Sequence, residues 1–211
     1  MFSESTVNVL FQGDSITDAG RSRENDVAIG AGYPAFVSGI RGYQQPGKYA
    51  FINRGISGNR VVDLYARSKI DFINLKPDVI SIMIGVNDVW HELGNKNGVD
   101  AEKYERVYDM LLSEIKTALP NVKFMILEPY VLKAAATQEN WQYFDTEVKL
   151  RAAASKRLAE KYNAVFIPLQ KILDDACEKM PAEYWSADGV HPTREGHALI
   201  ADEWMKAFQT L

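Results

Sequence analysis

Short apolar runs alternate along the chain with longer segments in which apolar residues recur every three or four positions. The run at 79–84, Val-Ile-Ser-Ile-Met-Ile, is apolar at nearly every position. Such a run is typical of a parallel strand that is covered on both faces. The apolar runs together predict five strands, at residues 7–12, 50–53, 79–84, 124–127 and 165–168.

The longer amphipathic segments predict helices. They lie at residues 33–41, 61–74, 101–119, 141–162, 169–179 and 195–208. Pro120 ends the third of these, because proline cannot continue a helix. Alternation of strands and helices at this spacing predicts an α/β fold, a three-layer α/β/α sandwich around a parallel sheet of about five strands. We find no internal repeat, and we interpret 94–98 as a surface loop, so the chain is expected to form one domain, 1–211.

Composition narrows the class of protein. The 211 residues are 46% hydrophobic and carry a formal net charge of −4, which argues against a nucleic-acid partner. Residues 1–12 show no signal peptide and no stretch is long enough to span a membrane, so we expect no membrane partner. Cys177 is the only cysteine and is compatible with a reducing compartment. We therefore expect a cytoplasmic protein, although a secreted protein whose leader has been removed would look similar.

Residues that could take part in catalysis follow three of the predicted strands. Ser15, in Gly13-Asp14-Ser15, comes after the first strand, Gly58 after the second and Asn87 after the third. Because the carboxyl ends of parallel strands meet at one edge of a sheet, we expect these residues to converge.

These residues, with a late Asp-x-x-His-Pro motif, match the requirements of acyl transfer to water. Ser15 is the candidate nucleophile and His191 the candidate base, since imidazole exchanges protons near neutral pH. Asp188 lies three residues earlier and can accept the Nδ1 proton of His191. The backbone N–H groups of Ser15 and Gly58 and the amide of Asn87 are the candidate oxyanion donors.

Each of these motifs taken alone is also compatible with an ordinary turn or cap. Their joint presence and order favour a serine hydrolase. Two alternatives stay open: a hydrolase with another acyl substrate, such as a thioesterase, lysophospholipase or arylesterase, and a non-catalytic flavodoxin-like binding module.

Several further residues are candidates for the surroundings of the site. Aromatic rings with polar edges suit sugars, and for this reason a substrate-binding role is predicted for Tyr33, Trp90 and Trp185. Core or interface packing is the alternative for each aromatic residue. Arg21, after the nucleophile motif, is a candidate to hydrogen-bond sugar oxygens or to pair with a surface carboxylate, and Asp14 is a further candidate for substrate binding. His91 is predicted to line the mouth of the site or to be solvated.

Neither a metal nor another cofactor is expected. No group of His, Cys, Asp or Glu has the spacing of a metal site, and the sequence contains no glycine-rich nucleotide motif. The remaining histidine, His197, lies in the last predicted helix and is interpreted as a packed or capped residue rather than a second base. Cys177 is interpreted as part of the core.

The four motifs resemble those of the SGNH hydrolases, the GDSL-type esterase superfamily. The matching blocks are residues 11–18 (Phe-Gln-Gly-Asp-Ser-Ile-Thr-Asp), 53–59 (Asn-Arg-Gly-Ile-Ser-Gly-Asn), 85–88 (Gly-Val-Asn-Asp) and 188–192 (Asp-Gly-Val-His-Pro). The resemblance implies a flavodoxin-like sheet, a metal-free mechanism and the same catalytic roles for Ser15, Asp188 and His191. It also implies the same oxyanion roles for Gly58 and Asn87.

Longer strings around the first three blocks are similar to those of intracellular acetylxylan esterases. They are residues 13–21, residues 55–59 with 63–64, and residues 81–90. This narrower resemblance implies a serine esterase that removes acetyl groups from xylo-oligosaccharides or related sugars, so the expected partner is a small acetylated carbohydrate or another short-chain ester. A homo-oligomer is compatible with the net charge and the aromatic residues.

Overall fold

The protein is described by a computed structural model that covers residues 6–211; residues 1–5, part of the segment in which no signal peptide is recognised, lie outside the described residues. The strands are β1 (Val7–Gly13), β2 (Tyr49–Asn53), β3 (Val79–Met83), β4 (Lys123–Leu127) and β5 (Val165–Ile167). Each agrees with its predicted bounds to within one residue at either end. All neighbouring strands are parallel, in the order β2-β1-β3-β4-β5. This order is that of flavodoxin-like sheets.

Helices connect the strands and follow the last one. They are α1 (Ser15–Asp18), α2 (Tyr33–Gln44), α3 (Val61–Ala66), α4 (Ser68–Asp71), α5 (Val86–Asn95), α6 (Ala101–Ala118), α7 (Trp141–Lys161), α8 (Leu169–Cys177), α9 (Ala182–Trp185) and α10 (Arg194–Phe208). Side-chain caps start two of the long ones. Asp100 accepts a hydrogen bond from the Lys103 N–H before α6, and Thr193 accepts one from the Gly196 N–H before α10.

The prediction of one helix over 61–74 was wrong. The segment forms α3, α4 and a 3-10 turn at Ile73–Leu75. The break comes at Arg67, which leaves helical conformation while its guanidinium donates to the Arg54 carbonyl and the Asn59 side chain. The fully buried Phe72 interrupts the second half. Tertiary contacts here override the helical pattern.

The sequence also missed α1, α5 and α9. The prediction of a surface loop at 94–98 was also wrong for its first two residues, because α5 extends through them and ends at Asn95. Helix α5 has only ten residues and begins directly after the glycine Gly85, so its apolar period is short and its start carries turn signals.

Two apolar clusters lie on opposite faces of the sheet, which confirms the three-layer sandwich. Residues of β1 alternate between them: Val9 and Phe11 join the cluster that contains Trp204 of α10, and Leu10 joins the cluster that contains Leu111 of α6. This is the pleat of a strand buried on both faces. Among residues 6–211, no helix combines the length and the apolar composition that crossing a bilayer requires.

The strand order fixes where a site can form. The chain moves from β1 to β2 on one side and then to β3 on the other side of β1. The crevice above the carboxyl ends of β1 and β3 is therefore the topological switch point, where ligands bind in open α/β sheets.

Candidate active site

The end of β1 brings Ser15 into this crevice. Gly13 has φ +155°, and a Cβ built on it would lie 2.3 Å from the Met83 carbonyl oxygen of β3, so a side chain has no room there. Asp14 then caps α1, its Oδ1 accepting the Ile16 N–H at 3.0 Å. Ser15 is the first residue of α1 and is partly exposed.

The loop before α10 brings two further predicted residues to Ser15. Ser15 Oγ lies 2.8 Å from His191 Nε2, and His191 Nδ1 lies 2.7 Å from Asp188 Oδ2. The other oxygen of Asp188, Oδ1, accepts the backbone N–H groups of Val190 at 2.9 Å and His191 at 2.7 Å. Each carboxylate oxygen thus has a fixed partner, and the loop curls so that Asp188 and His191 meet.

The contact between Asp188 and His191 shifts the pKa values of both residues. The hydrogen bond that His191 Nδ1 donates to the Asp188 carboxylate raises the pKa of His191 above its usual 6.5, against the opposing effect of burial. Although burial opposes it, the hydrogen bonds from His191 and from the Val190 N–H lower the pKa of Asp188 to about 2. At neutral pH Asp188 is ionised and accepts a hydrogen bond from the Nδ1–H group of His191, so the neutral form of the imidazole presents a bare Nε2 to Ser15.

Gly58 lies in a tight turn after β2. The Asn59 N–H donates to the Ile56 carbonyl at 3.1 Å, and Gly58 has φ +81°, as the third residue of a type II turn requires. The turn is attached to α1 by Asp18, whose Oδ2 accepts both the N–H and the hydroxyl of Ser57 at 2.9 Å.

Asn87 is the second residue of α5 and is 6% exposed. Its Nδ2 donates one hydrogen to the Asn59 carbonyl at 3.1 Å, which leaves the second hydrogen of the amide for another acceptor. Within residues 6–211, the backbone N–H groups of Ser15 and Gly58 meet no acceptor. The segments that carry the three predicted oxyanion donors therefore lie at the carboxyl ends of three adjacent strands.

Trp90 and His91 of α5 border the triad and the glycine turn. The Trp90 ring centroid is 6.0 Å from that of His191, and Trp90 also packs edge-on against Phe144. His91 lies one helical turn after Asn87, and its Cε1 would be 3.9 Å from a Cβ on Gly58. His91 therefore lies on a helix beside the site. Burial, together with the charge of Arg60, lowers its pKa, so the ring is neutral at pH 7.

Three of the residues predicted to contact substrate have buried side chains, whose contacts in the structure are with other parts of the protein. Tyr33 has no exposed surface; its hydroxyl lies 3.2 Å from Thr17 Oγ1 and its ring packs on Phe11. Arg21 is 8% exposed, and its Nε donates to the Gly55 carbonyl at 2.7 Å, so it supports the loop before the glycine turn. Asp14 is 1% exposed, and burial raises its pKa to about 7.

Trp185 is partly buried against the core and is not placed beside Ser15 by any contact among the described residues. Its indole N–H donates to the carbonyls of Ala176 and Met180. Its own carbonyl accepts the Thr193 N–H at 2.9 Å and leaves no room for a side chain at Gly196. The contacts of Trp185 hold the start of α10. Of the three predicted aromatic contacts, Trp90 is the one whose ring lies against His191.

Ser186 supports the triad loop and was missed. It is fully buried, and its hydroxyl donates to the His191 carbonyl at 2.9 Å and lies 3.4 Å from Asp188 Oδ1. A serine two positions before the acid carries no distinct sequence signal, because serine is common in turns. The supporting role of Asp18 was also missed; its signal was a second acid one turn after Asp14.

His197 and Cys177, the other residues considered in the sequence analysis, make contacts within the fold. His197 Nδ1 accepts the Tyr33 N–H at 3.1 Å, which caps α2, and burial lowers the pKa of His197 to about 4. Cys177 ends α8 and packs against the core as a partly buried residue. In the part of the chain that the structure describes, no three His, Cys, Asp or Glu side chains are grouped so that they could hold a metal ion.

Comparison with known proteins gives one family. The model of the GDSL-like Lipase/Acylhydrolase family matches residues 11–199. An acetylxylan esterase from Geobacillus stearothermophilus is 34% identical over 209 residues, which span 94% of this chain and 92% of that protein.

Solved structures are similar over almost the whole chain. A putative GDSL-like lipase from Parabacteroides merdae superposes with a TM-score of 0.92 at 38% identity, covering 98% of this chain and 97% of that one. The crystal structure of an acetylxylan esterase from G. stearothermophilus superposes with a TM-score of 0.85 at 32% identity, covering 98% and 96%.

Proposed function

This chain belongs to the GDSL-like lipase/acylhydrolase family and is a carboxylic ester hydrolase, and from that premise we propose that it removes acetyl groups from xylo-oligosaccharides or related sugars by serine catalysis. The observation that carries the proposal is the continuous chain of contacts from Ser15 through His191 to Asp188, at 2.8 and 2.7 Å. The similarity to an acetylxylan esterase supports the choice of substrate.

In the acylation step, His191 Nε2 takes the proton of Ser15 Oγ while the oxygen attacks the acetyl carbonyl carbon. The carbonyl oxygen becomes an oxyanion, which accepts hydrogen bonds from the N–H groups of Ser15 and Gly58 and from the amide of Asn87. The carbon–oxygen bond to the sugar then breaks, and the departing sugar oxygen takes the proton from His191. An acetyl ester of Ser15 remains.

Deacylation repeats these steps with water. His191 removes a proton from a water molecule, whose oxygen attacks the acetyl carbonyl, and the same donors hold the second oxyanion. Collapse returns the proton to Ser15 Oγ and releases acetate. Asp188 stays ionised throughout and stabilises the imidazolium form of His191 in both halves of the reaction.

The residues beside the triad support a small, polar substrate. Trp90 offers an aromatic face next to His191, and such faces suit sugar rings. The neutral ring of His91 has one hydrogen-bond donor and one acceptor, and neither has a partner among residues 6–211. Sugar hydroxyl groups can satisfy both.

The test is hydrolysis by wild type and Ser15→Ala, with acetylated xylo-oligosaccharides and with p-nitrophenyl esters from acetyl to octanoyl. We expect acetate release from the sugars and a preference for the shortest ester, by the wild type alone. Cleavage confined to longer acyl chains would keep the mechanism and overturn the substrate. Turnover by folded Ser15→Ala at wild-type rates would overturn the mechanism.

A further inference from the structure

Asp88, the residue after Asn87, has a buried carboxyl group to which the mechanism assigns no role. It is 0% exposed. Its two carboxyl oxygens lie 3.1 and 3.2 Å from the backbone nitrogen of Val61, and both accept that N–H. Val61 is the first residue of α3, where a helix has N–H groups without partners of their own.

This hydrogen bond joins the segments that carry two of the oxyanion donors. Val61 follows Gly58 by three residues, and Asp88 follows Asn87 directly. Two other links join the segments. Asn87 Nδ2 donates to the Asn59 carbonyl, which uses one hydrogen of the donor itself, and the Arg60 guanidinium donates to the carbonyl and the side chain of Asn97, just after α5. The contact of Asp88 with Val61 fixes the separation of the segments without using either donor.

Asp88 is itself held in place from behind. Its backbone carbonyl accepts the Val99 N–H at 2.8 Å, and the buried guanidinium of Arg151 donates to the Val99 carbonyl. Burial raises the pKa of Asp88 well above its usual range. A buried carboxyl group costs free energy that an apolar side chain at the same position would not. Packing alone therefore does not account for an aspartate here.

We propose that Asp88 is a positioning residue, which holds the Gly58 turn at the distance from Asn87 that the oxyanion requires. This rests on the proposed serine mechanism, in which Gly58 and Asn87 donate to the same oxyanion. Loss of the contact lets the turn move away from α5, and a misplacement of about 1 Å in such a site lowers the rate by up to about 100-fold.

The contact can be removed from either side. Asp88→Ala removes the acceptor, and Val61→Pro removes the N–H donor and leaves Asp88 in place. Proline suits this position, because it is favoured at the first position of a helix and because Arg60 is already extended, at φ −107° and ψ 174°. If Asp88→Ala fails to fold, Val61→Pro still tests the proposal.

Glu128→Ala is the matched control. The Glu128 carboxylate accepts the Gln170 N–H at 2.9 Å in the first turn of α8, and burial raises the pKa of Glu128 as it does that of Asp88. The variant therefore loses the same kind of contact at a helix that carries none of the oxyanion donors.

The measurements are kcat and KM for p-nitrophenyl acetate, the inhibition constant of a boronic acid that forms a tetrahedral adduct with serine, and the melting temperature. For Asp88→Ala and Val61→Pro we expect kcat to fall about 10- to 100-fold and the inhibition constant to rise by a similar factor, with KM within about twofold. In the double variant kcat falls no further than in the worse single variant, because the two substitutions remove the same contact. Glu128→Ala lowers the melting temperature and leaves kcat unchanged.

The outcomes separate this inference from the proposed function. Wild-type kcat and boronate inhibition in folded Asp88→Ala or Val61→Pro would overturn the positioning role alone. The positioning role is also overturned if the two effects multiply in the double variant, or if Glu128→Ala loses as much kcat. A wild type that hydrolyses no ester, or a Ser15→Ala variant that remains active, would overturn the proposed mechanism and this inference with it.

Discussion

Replacement of Asp188 by asparagine tests how His191 is oriented. Asparagine has the shape of aspartate, and its amide oxygen can keep the position of Oδ1, which accepts the N–H groups of Val190 and His191. The NH₂ group then takes the position of Oδ2, 2.7 Å from His191 Nδ1. Two donors cannot face each other at that distance, so Nδ1 must give up its proton.

The expected loss of activity follows from this change of tautomer. With Nδ1 as an acceptor, the proton of the neutral ring lies on Nε2, which then donates to Ser15 Oγ and cannot remove its proton. A base held in the wrong tautomer lowers kcat on the order of 10⁴-fold. This corresponds to about 5 kcal/mol of lost transition-state stabilisation. We expect KM to change little, because no substrate contact is altered.

The pH profile gives a second readout. Since the hydrogen bond that His191 donates to Asp188 raises the pKa of His191, the wild-type acid limb of kcat/KM should lie above pH 6.5, with activity lost as the pH falls through that pKa. In Asp188→Asn the carboxylate is gone, and the limb should move to lower pH. The assay is p-nitrophenyl acetate hydrolysis from pH 5 to 9. A loss of less than about tenfold with an unmoved limb would refute the triad and favour a Ser–His dyad.

Three further predictions concern residues around the triad. Asn87→Ala should lower kcat by about 10²- to 10³-fold with KM unchanged in the same assay, since it removes one oxyanion donor; an effect confined to KM would contradict this role. His91→Ala should raise KM for acetylated xylo-oligosaccharides and leave that for p-nitrophenyl acetate unchanged; equal losses on both would contradict a sugar contact. Because the folded pKa of His197 lies at about 4, below its usual 6.5, stability should fall as the pH drops from 6.5 towards 4, by about 3 kcal/mol. Urea unfolding of His197→Asn, whose amide oxygen can still accept the Tyr33 N–H, should show a correspondingly smaller loss; equal pH dependence would contradict this.

The centre of the sheet was predictable because its strands are buried on both faces. The run at 79–84 becomes β3, every residue of which is buried, and such strands carry an almost continuous apolar signal. Helix α5 carried a weaker signal, since it is short and begins directly after a glycine. The break at Arg67 was not predictable, because its cause is a set of contacts with residues distant in the sequence.

The contacts of the site also differ in how far the sequence predicts them. The Asp188–His191 contact was predictable because the two residues share one short loop. The surroundings were harder, because an aromatic or charged residue near a motif has the same sequence signal whether it faces the crevice or the core. Tyr33 illustrates this, since it follows a loop near the site yet packs on Phe11 with no exposed surface. The supporting contact of Ser186 depends on a turn that only the folded loop defines.

The most direct test of the account is to identify the residue that attacks the ester. The wild type would be treated with an organophosphate that esterifies reactive serines, and the adduct located by peptide mass spectrometry while esterase activity is followed. The account predicts one adduct, on Ser15, formed in parallel with the loss of activity and absent from Ser15→Ala. An adduct on another residue that forms as activity is lost would contradict it.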